Sequence, residues 1–227
     1  MSGPHHRTSG SRGRTDRGPA CHATGRLHLE IPATVLNKLL IATTNPGKLE
    51  EFRQLLEGLV PTIISSADVD APEVVEDAPT LEGNALKKAR ALFEHSGLPA
   101  LADDTGLEVR TLDGRPGVHS ARYAGPDCIA ADNVAKLLNE LRNREDRSAR
   151  FRTAIVYFDG AQPRVYEGIC TGRIIERPRG AGGFGYDPVF LPDGETETFA
   201  ELSADRKNAI SHRGRAMQAF LNDLKSW

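Results

Sequence analysis

Residues 101–109 read LADDTGLEV, and the reading of this stretch decides how far the protein's sheet extends. It follows Pro99-Ala100, so that Ala100-Leu101-Ala102 forms a short apolar run of the kind an interior strand shows. Asp103 and Asp104 then stand side by side. Adjacent carboxylates repel, and burying them unpaired is costly. Either the strand ends in water and Asp-Asp-Thr-Gly is a turn, or something cationic neutralises the pair. Local composition favours strand, turn and second strand over 99–114.

Upstream, KLLIAT (38–43) is a short β-rich run that enters the turn signal TTNPGK. Leu49, Phe52, Leu55, Leu56 and Leu59 then recur at helical spacing. The opening unit is therefore strand, tight polar loop, helix. TIISSADV (62–69) reads as a second strand, and TLEGNALKKARALFEHSG (80–97) as a helix closed by a Gly C-cap. Downstream, 131–143 is an amphipathic helix, and 149–160 and 164–176 are two long strands that pair as a hairpin. The chain closes on a helix over 210–227 with Ala216, Phe220 and Leu224 on one face. Strands mixed with helices in this order indicate an α/β (mixed α+β) domain over 38–227. Residues 1–37 read as a disordered N-terminal extension, rich in Gly, Ser, Arg and His without apolar periodicity.

The chain has 227 residues and a formal charge of −2. Residues 1–29 carry five Arg and one Asp, so the remainder is mildly acidic, which suits metal-assisted chemistry better than binding to a phosphate backbone. No stable nucleic-acid partner is expected. Cys21, Cys128 and Cys170 are far apart, which argues against a disulfide framework or zinc site. No apolar run approaches the roughly 18 residues of a membrane span, and the N-terminal residues lack the apolar core of a secretory signal, so a cytoplasmic protein is expected.

Four places hold polar groups that packing does not require. TTNPGK delivers the chain into a helix N-terminus, where free N–H groups and the dipole suit an anion; Lys48 is misplaced there unless an anion joins it. The Asp103-Asp104 pair offers oxygen ligands to a hard cation such as Mg²⁺. Glu76, Asp77 and Glu82 add acidity upstream at distances one sequence does not reveal. GAGGFGYDP (180–188) sets Phe184 and Tyr186 among glycines, as a stacking surface for a planar ring requires. Lys207, His212, Arg213 and Arg215 gather about Ser211, a helix N-cap. A phosphate cradle, metal carboxylates, stacking aromatics and a cationic clamp together describe a nucleotide polyphosphate site.

These residues carry a resemblance. TNPGKLEEF, TLEGNALKKA, LADDTGLEV, PGVHSARYAG, GGFGYDPVF and ISHRGRA occur in this order across 38–217, and the chain closely resembles the inosine triphosphate pyrophosphatase family. The resemblance implies a long mixed sheet flanked by helices, two lobes around a central cleft, and a homodimer. It implies Mg²⁺-dependent cleavage of ITP, dITP or XTP to the monophosphate and pyrophosphate. It places Thr43, Thr44, Asn45, Pro46, Gly47 and Lys48 in the first phosphate-binding loop. Asp104 becomes metal ligand and general base, with Asp103 and Glu51 on the metal side and Thr105 touching substrate. Phe184, Gly185, Tyr186 and Asp187 form the base-binding loop, with Phe184 as the stacking ring. Lys207 contacts phosphate, and His212 and Arg213 read the purine's 6-oxo edge. Asn84 and Arg122 lie in family motifs without an assigned role. On this reading Mg²⁺ and the substrate phosphates balance the aspartate pair. A pyrophosphatase of the Maf type and a non-catalytic nucleotide sensor are the rivals.

Overall fold

The computed structural model describes Gly3 and residues 36–227. The elements run β1 (Lys38–Ala42), α1 (Pro46–Leu56), β2 (Thr62–Ser65), α2 (Leu81–Ser96), β3 (Ala100–Val109), β4 (Pro116–Gly117), α3 (Ala130–Glu140), β5 (Ser148–Phe158), β6 (Arg164–Ile174), β7 (Phe190–Pro192), α4 (Ala204–Ile210) and α5 (His212–Leu224). Most of the expected extension lies outside the described residues. Its last two residues do not: Leu36 is buried in the core and Asn37 accepts a hydrogen bond from the Thr62 amide at 3.2 Å.

The strands form one mixed sheet in the order β2-β1-β3-β5-β6-β7, with β4 also on β3. β1 lies parallel to β2 and β3; the remaining pairs are antiparallel. The opening stretch is one strand, not strand, turn and strand. β3 pairs with β5 without a break from Ala100↔Phe158 to Val109↔Ala149, straight through both aspartates. The turn reading fails because β3 is buried on both faces, so the alternation that marks a half-exposed strand is missing and only the two carboxylates interrupt the apolar run.

Alternation along the strands divides the core. Leu39, Ile41, Leu101, Ile155 and Tyr157 pack on Phe52 and Leu56 of α1 and on Met217 and Phe220 of α5. Leu40, Ala42, Ala100, Ala102, Val156 and Phe158 pack on Ala85, Ala89 and Leu92 of α2. Beyond the aspartates a separate cluster gathers Leu107, Val109, Leu137, Phe151, Phe190 and Phe199 into a second lobe. β5 occupies one edge of β3 throughout, so β1 and β4 share the other edge. β1 reaches only to Ala102 and β4 begins at Leu107, which leaves Asp103–Gly106 without a strand neighbour there. That gap opens the cleft. It also lies at the carboxyl end of β1, where the chain leaves to opposite faces on its way to β2 and β3, the place where open α/β sheets bind ligands.

One other expectation changes. Residues 62–69 are strand only to Ser65; Ser66–Val69 is a single 3₁₀ turn. The closing helix is α5, capped as expected by the Ser211 hydroxyl, which accepts from the Gly214 amide; the short α4 before it was not anticipated. The C-cap of α2 is as expected, Gly97 closing the helix at φ 68°; at the other end Thr80 caps it by accepting from the Gly83 N–H. Among the described residues no helix is long and apolar enough to cross a membrane.

Candidate active site

The loop after β1 is folded by its own side chains. Asn45 Oδ1 accepts from the amides of Gly47 at 2.9 Å and Lys48 at 3.2 Å, capping α1, while the Asn45 amide donates to Thr43 Oγ1 at 3.1 Å. Asn45 thus holds the turn in shape. Lys48, awkward for a first helical turn, has a partner in Asp103, with its Nζ 3.1 Å from Oδ2. Burial lowers the Lys48 pKa, opposed by the attraction of Asp103.

Asp103 and Asp104 point to opposite faces of the sheet, so they meet different partners. Asp103 faces α1 and α5. Arg213 donates to its Oδ2 from Nη2 at 2.8 Å and from Nε at 3.2 Å. Arg213 Nη1 also donates to Glu51, and Lys207 Nζ lies 2.7 Å from Glu51 Oε1 and 2.6 Å from Asp187 Oδ2. Lys48, Asp103, Arg213, Glu51, Lys207 and Asp187 thereby form a chain of alternating charge. Burial would raise the Asp103 carboxyl, but Lys48 and Arg213 outweigh it and hold the group far below the usual carboxylate range. Glu51 is likewise held low by Arg213 and Lys207 against its burial. The expectation that Asp103 and Glu51 serve a metal meets a different arrangement, since protein cations already take up both carboxylates.

Asp104 faces α2 instead. Its Oδ2 accepts from Asn84 Nδ2 at 3.0 Å and its Oδ1 from the Thr105 amide at 3.0 Å. Lys88 Nζ is 3.9 Å from Asp104 Oδ1 and 3.0 Å from Glu76 Oε2. Burial pushes the Asp104 carboxyl up, Lys88 and Lys48 pull it down, and Glu76 pushes it up again. Arg122 donates to the Glu76 carbonyl at 3.0 Å and so fixes that loop. Sequence reasoning missed Lys88 and left Glu76 unplaced. The signal for Lys88 was its position one turn beyond Asn84 on α2, on the face that meets the even-numbered side of β3.

Among the described residues no three His, Cys, Asp or Glu converge as a metal cluster. A magnesium ion does not need one, because it keeps waters and substrate phosphates and takes one or two carboxylates. Asp104 and Glu76 fit that demand, and the Lys88 ammonium between them marks a place where positive charge is favoured.

The opposite wall carries the aromatic loop. The Phe184 ring lies on Gly47, where an added Cβ would come within 2.5 Å of Cδ1. Lys207 Nζ is 4.8 Å and Arg213 Cζ 5.7 Å from its centroid. Asp187 Oδ2 accepts from the Phe184 amide at 2.8 Å, tying the loop to Lys207. Tyr186 is not a stacking surface: it is buried in the second lobe and donates to the Ser120 carbonyl at 2.9 Å. Thr105 Oγ1 lies 2.6 Å from Thr153 Oγ1 and accepts from Arg213 at 3.1 Å. The His212 ring stacks on Phe151 at 4.5 Å, and among the described residues its Nδ1 is the buried side-chain polar atom with no partner. Burial, with Arg213 and Lys207 nearby, holds His212 well below its usual pKa, so the ring is neutral. Arg215 is turned away, donating to the Ile169 carbonyl. Thr43, Thr44, Lys48, Asp104, Phe184, Lys207 and His212 line one cleft of about 990 Å³.

The sequence matches the Ham1 family over residues 39–223. A dITP/XTP pyrophosphatase of Geobacter sulfurreducens is 48% identical over 196 residues, covering 85% of this chain and 98% of that protein. One from Porphyromonas gingivalis is 50% identical over 191 residues, covering 83% and 97%. Among solved structures, a HAM1 protein from Coxiella burnetii superposes with a TM-score of 0.76 at 38% identity, covering 85% of this chain and 100% of that one.

Proposed function

The chain belongs to the Ham1 family, and from that premise we infer how its cleft performs pyrophosphatase chemistry. It is a hydrolase of acid anhydrides that acts on non-standard purine nucleoside triphosphates, as the names of its relatives support. The observation that carries the mechanism is the placing of Asp104: a carboxyl lifted by burial, facing a cleft beside Glu76 and Lys88.

The triphosphate lies along the N-terminus of α1 with Lys48 and Lys88 beside it. Asp104 takes the proton of a water that attacks at the α–β linkage, releasing the nucleoside monophosphate and pyrophosphate. Asp104 and Glu76 would hold Mg²⁺, which would lower the pKa of water and neutralise phosphate charge. Lys48 and Lys88 stabilise charge developing on the phosphates. Phe184 stacks on the base, and neutral His212 completes a hydrogen bond at the purine edge. A site built to hydrogen-bond one edge rejects the mispaired analogue, here the 6-amino group of adenine. Homodimerisation in the cytoplasm is proposed on the family resemblance alone, and light scattering on the purified protein tests the dimer.

The test is a digest of ITP beside ATP and GTP, with and without Mg²⁺, resolved by anion exchange. IMP plus pyrophosphate from ITP alone, and only with Mg²⁺, is the expected result. IDP plus phosphate would overturn the assigned point of attack, and equal cleavage of ATP the assigned base recognition.

A further inference from the structure

Asn84 touches both halves of the catalytic arrangement and belongs to neither. It stands in the first turn of α2 and is fully buried. Its Oδ1 accepts from the Ala78 amide at 2.9 Å, and its Nδ2 donates to Asp104 Oδ2 at 3.0 Å. The orientation of the side-chain amide is dictated, because a backbone N–H can only donate and so fixes the oxygen toward Ala78. The nitrogen must then face Asp104. The Thr105 amide holds the other carboxylate oxygen, on the side where Lys88 stands. Two fixed donors, one to each oxygen, set the plane of the carboxylate. Ala78 lies two residues beyond Glu76, so the same amide also fixes the loop that brings Glu76 to Lys88.

We propose that Asn84 is the positioning residue of this reaction: one buried amide ties the Asp104 carboxylate to the Glu76-bearing loop and keeps their spacing constant. The proposal rests on the assignment of Asp104 as the base. Asn84 touches no substrate on this reading. Its effect is on geometry, so its loss appears in kcat rather than in KM.

Two substitutions separate its bonds. Asn84→Asp retains an acceptor for the Ala78 amide and, above the pH at which the buried pair of carboxyls gives up its shared proton, offers Asp104 no donor. Asn84→Leu keeps the volume and removes both bonds. With wild-type ITP turnover established first, Asn84→Asp is expected to lose about 100-fold in kcat with KM changed by less than about threefold, the scale of a misplaced catalytic group. Exchange of the Ala78 amide with deuterium should remain slow in Asn84→Asp and become fast in Asn84→Leu. Wild-type kcat in Asn84→Asp would overturn the positioning role and leave the pyrophosphatase assignment standing. A wild-type protein that does not cleave ITP would sink that assignment instead. Should the variants fail to fold, the wild-type protein decides by NMR, with Mg²⁺ and a non-hydrolysable ITP analogue bound. The two Asn84 Nδ2 protons must stay well separated, the bonded one downfield; a solvent-like pair overturns the proposal.

Discussion

Two adjacent, chemically identical residues in β3 have opposite energetic roles, because consecutive side chains of a strand leave on opposite faces. Asp103 points at Lys48 and Arg213, and its carboxyl is held far below the ordinary range. Asp104 points at Asn84 and Lys88, and burial holds its carboxyl above that range. At neutral pH the charge on Asp103 therefore stabilises the fold and the charge on Asp104 opposes it. Asp104→Asn should lower ITP turnover by about 10³-fold and destabilise less than Asp103→Asn, since losing the charge offsets the donor that the new amide leaves unpaired. Asp103→Asn strips the partner from buried Arg213 and half-buried Lys48 and should destabilise by about 3–5 kcal/mol. Paired melting curves and kcat values check both, and an Asp104→Asn protein less stable than Asp103→Asn would contradict the assigned environment. Sequence alone singled out Asp104 through the resemblance that the motif around it carries. It did not reveal the division of labour, since Asp-Asp-Thr-Gly reads equally well as a turn.

At the scale of elements, the cleft is the place where two strands fail to meet along the edge of β3, between Ala102 and Leu107. The helix that opens onto it, α1, is built for close approach. Gly47 in its first turn leaves room for the Phe184 ring, and a methyl group there would come within 2.5 Å of it. Gly47→Ala should not weaken the helix, since alanine is favoured over glycine by about 1 kcal/mol in a helix. It should displace the ring and raise the KM for ITP about tenfold, within what stacking on one base contributes. A KM unchanged from wild type would remove Phe184 from the binding surface. The periodicity of α1, α2 and β6 was legible because each exposes one face, and β5 alternates over its first half before it too is buried on both. β3 was not, being buried on both, and neither was α4, whose seven residues are too few to establish a period.

Over the whole molecule, the buried chain from Lys48 through Asp103, Arg213, Glu51 and Lys207 to Asp187 joins α1, β3, α4, α5 and the aromatic loop. Its contacts span 110 residues between Arg213 and Asp103 and 162 between Arg213 and Glu51, separations at which one sequence carries no register. That is why the basic residues were readable as a group while their partners were not. The same burial sets how the fold responds to acid. His212 is packed on Phe151 and held well below 6.5, so the folded protein does not take up its proton as the pH falls through 6.5, whereas the unfolded chain does. The unfolded state then binds more protons, and stability falls with pH by about 1.4 kcal/mol per unit for this one group, roughly 3–6 °C in melting temperature. Asp103 and Glu51, held low, add to the loss below the ordinary carboxylate range, while Asp104 and Asp187, held high, oppose it. Melting the wild type and His212→Gln between pH 7.5 and 5 isolates the histidine, because every other group is common to both. The wild type should show the steeper decline by that amount. Parallel curves would mean that the imidazole keeps an ordinary pKa in the fold, and the neutral edge reader proposed for the purine would go with it.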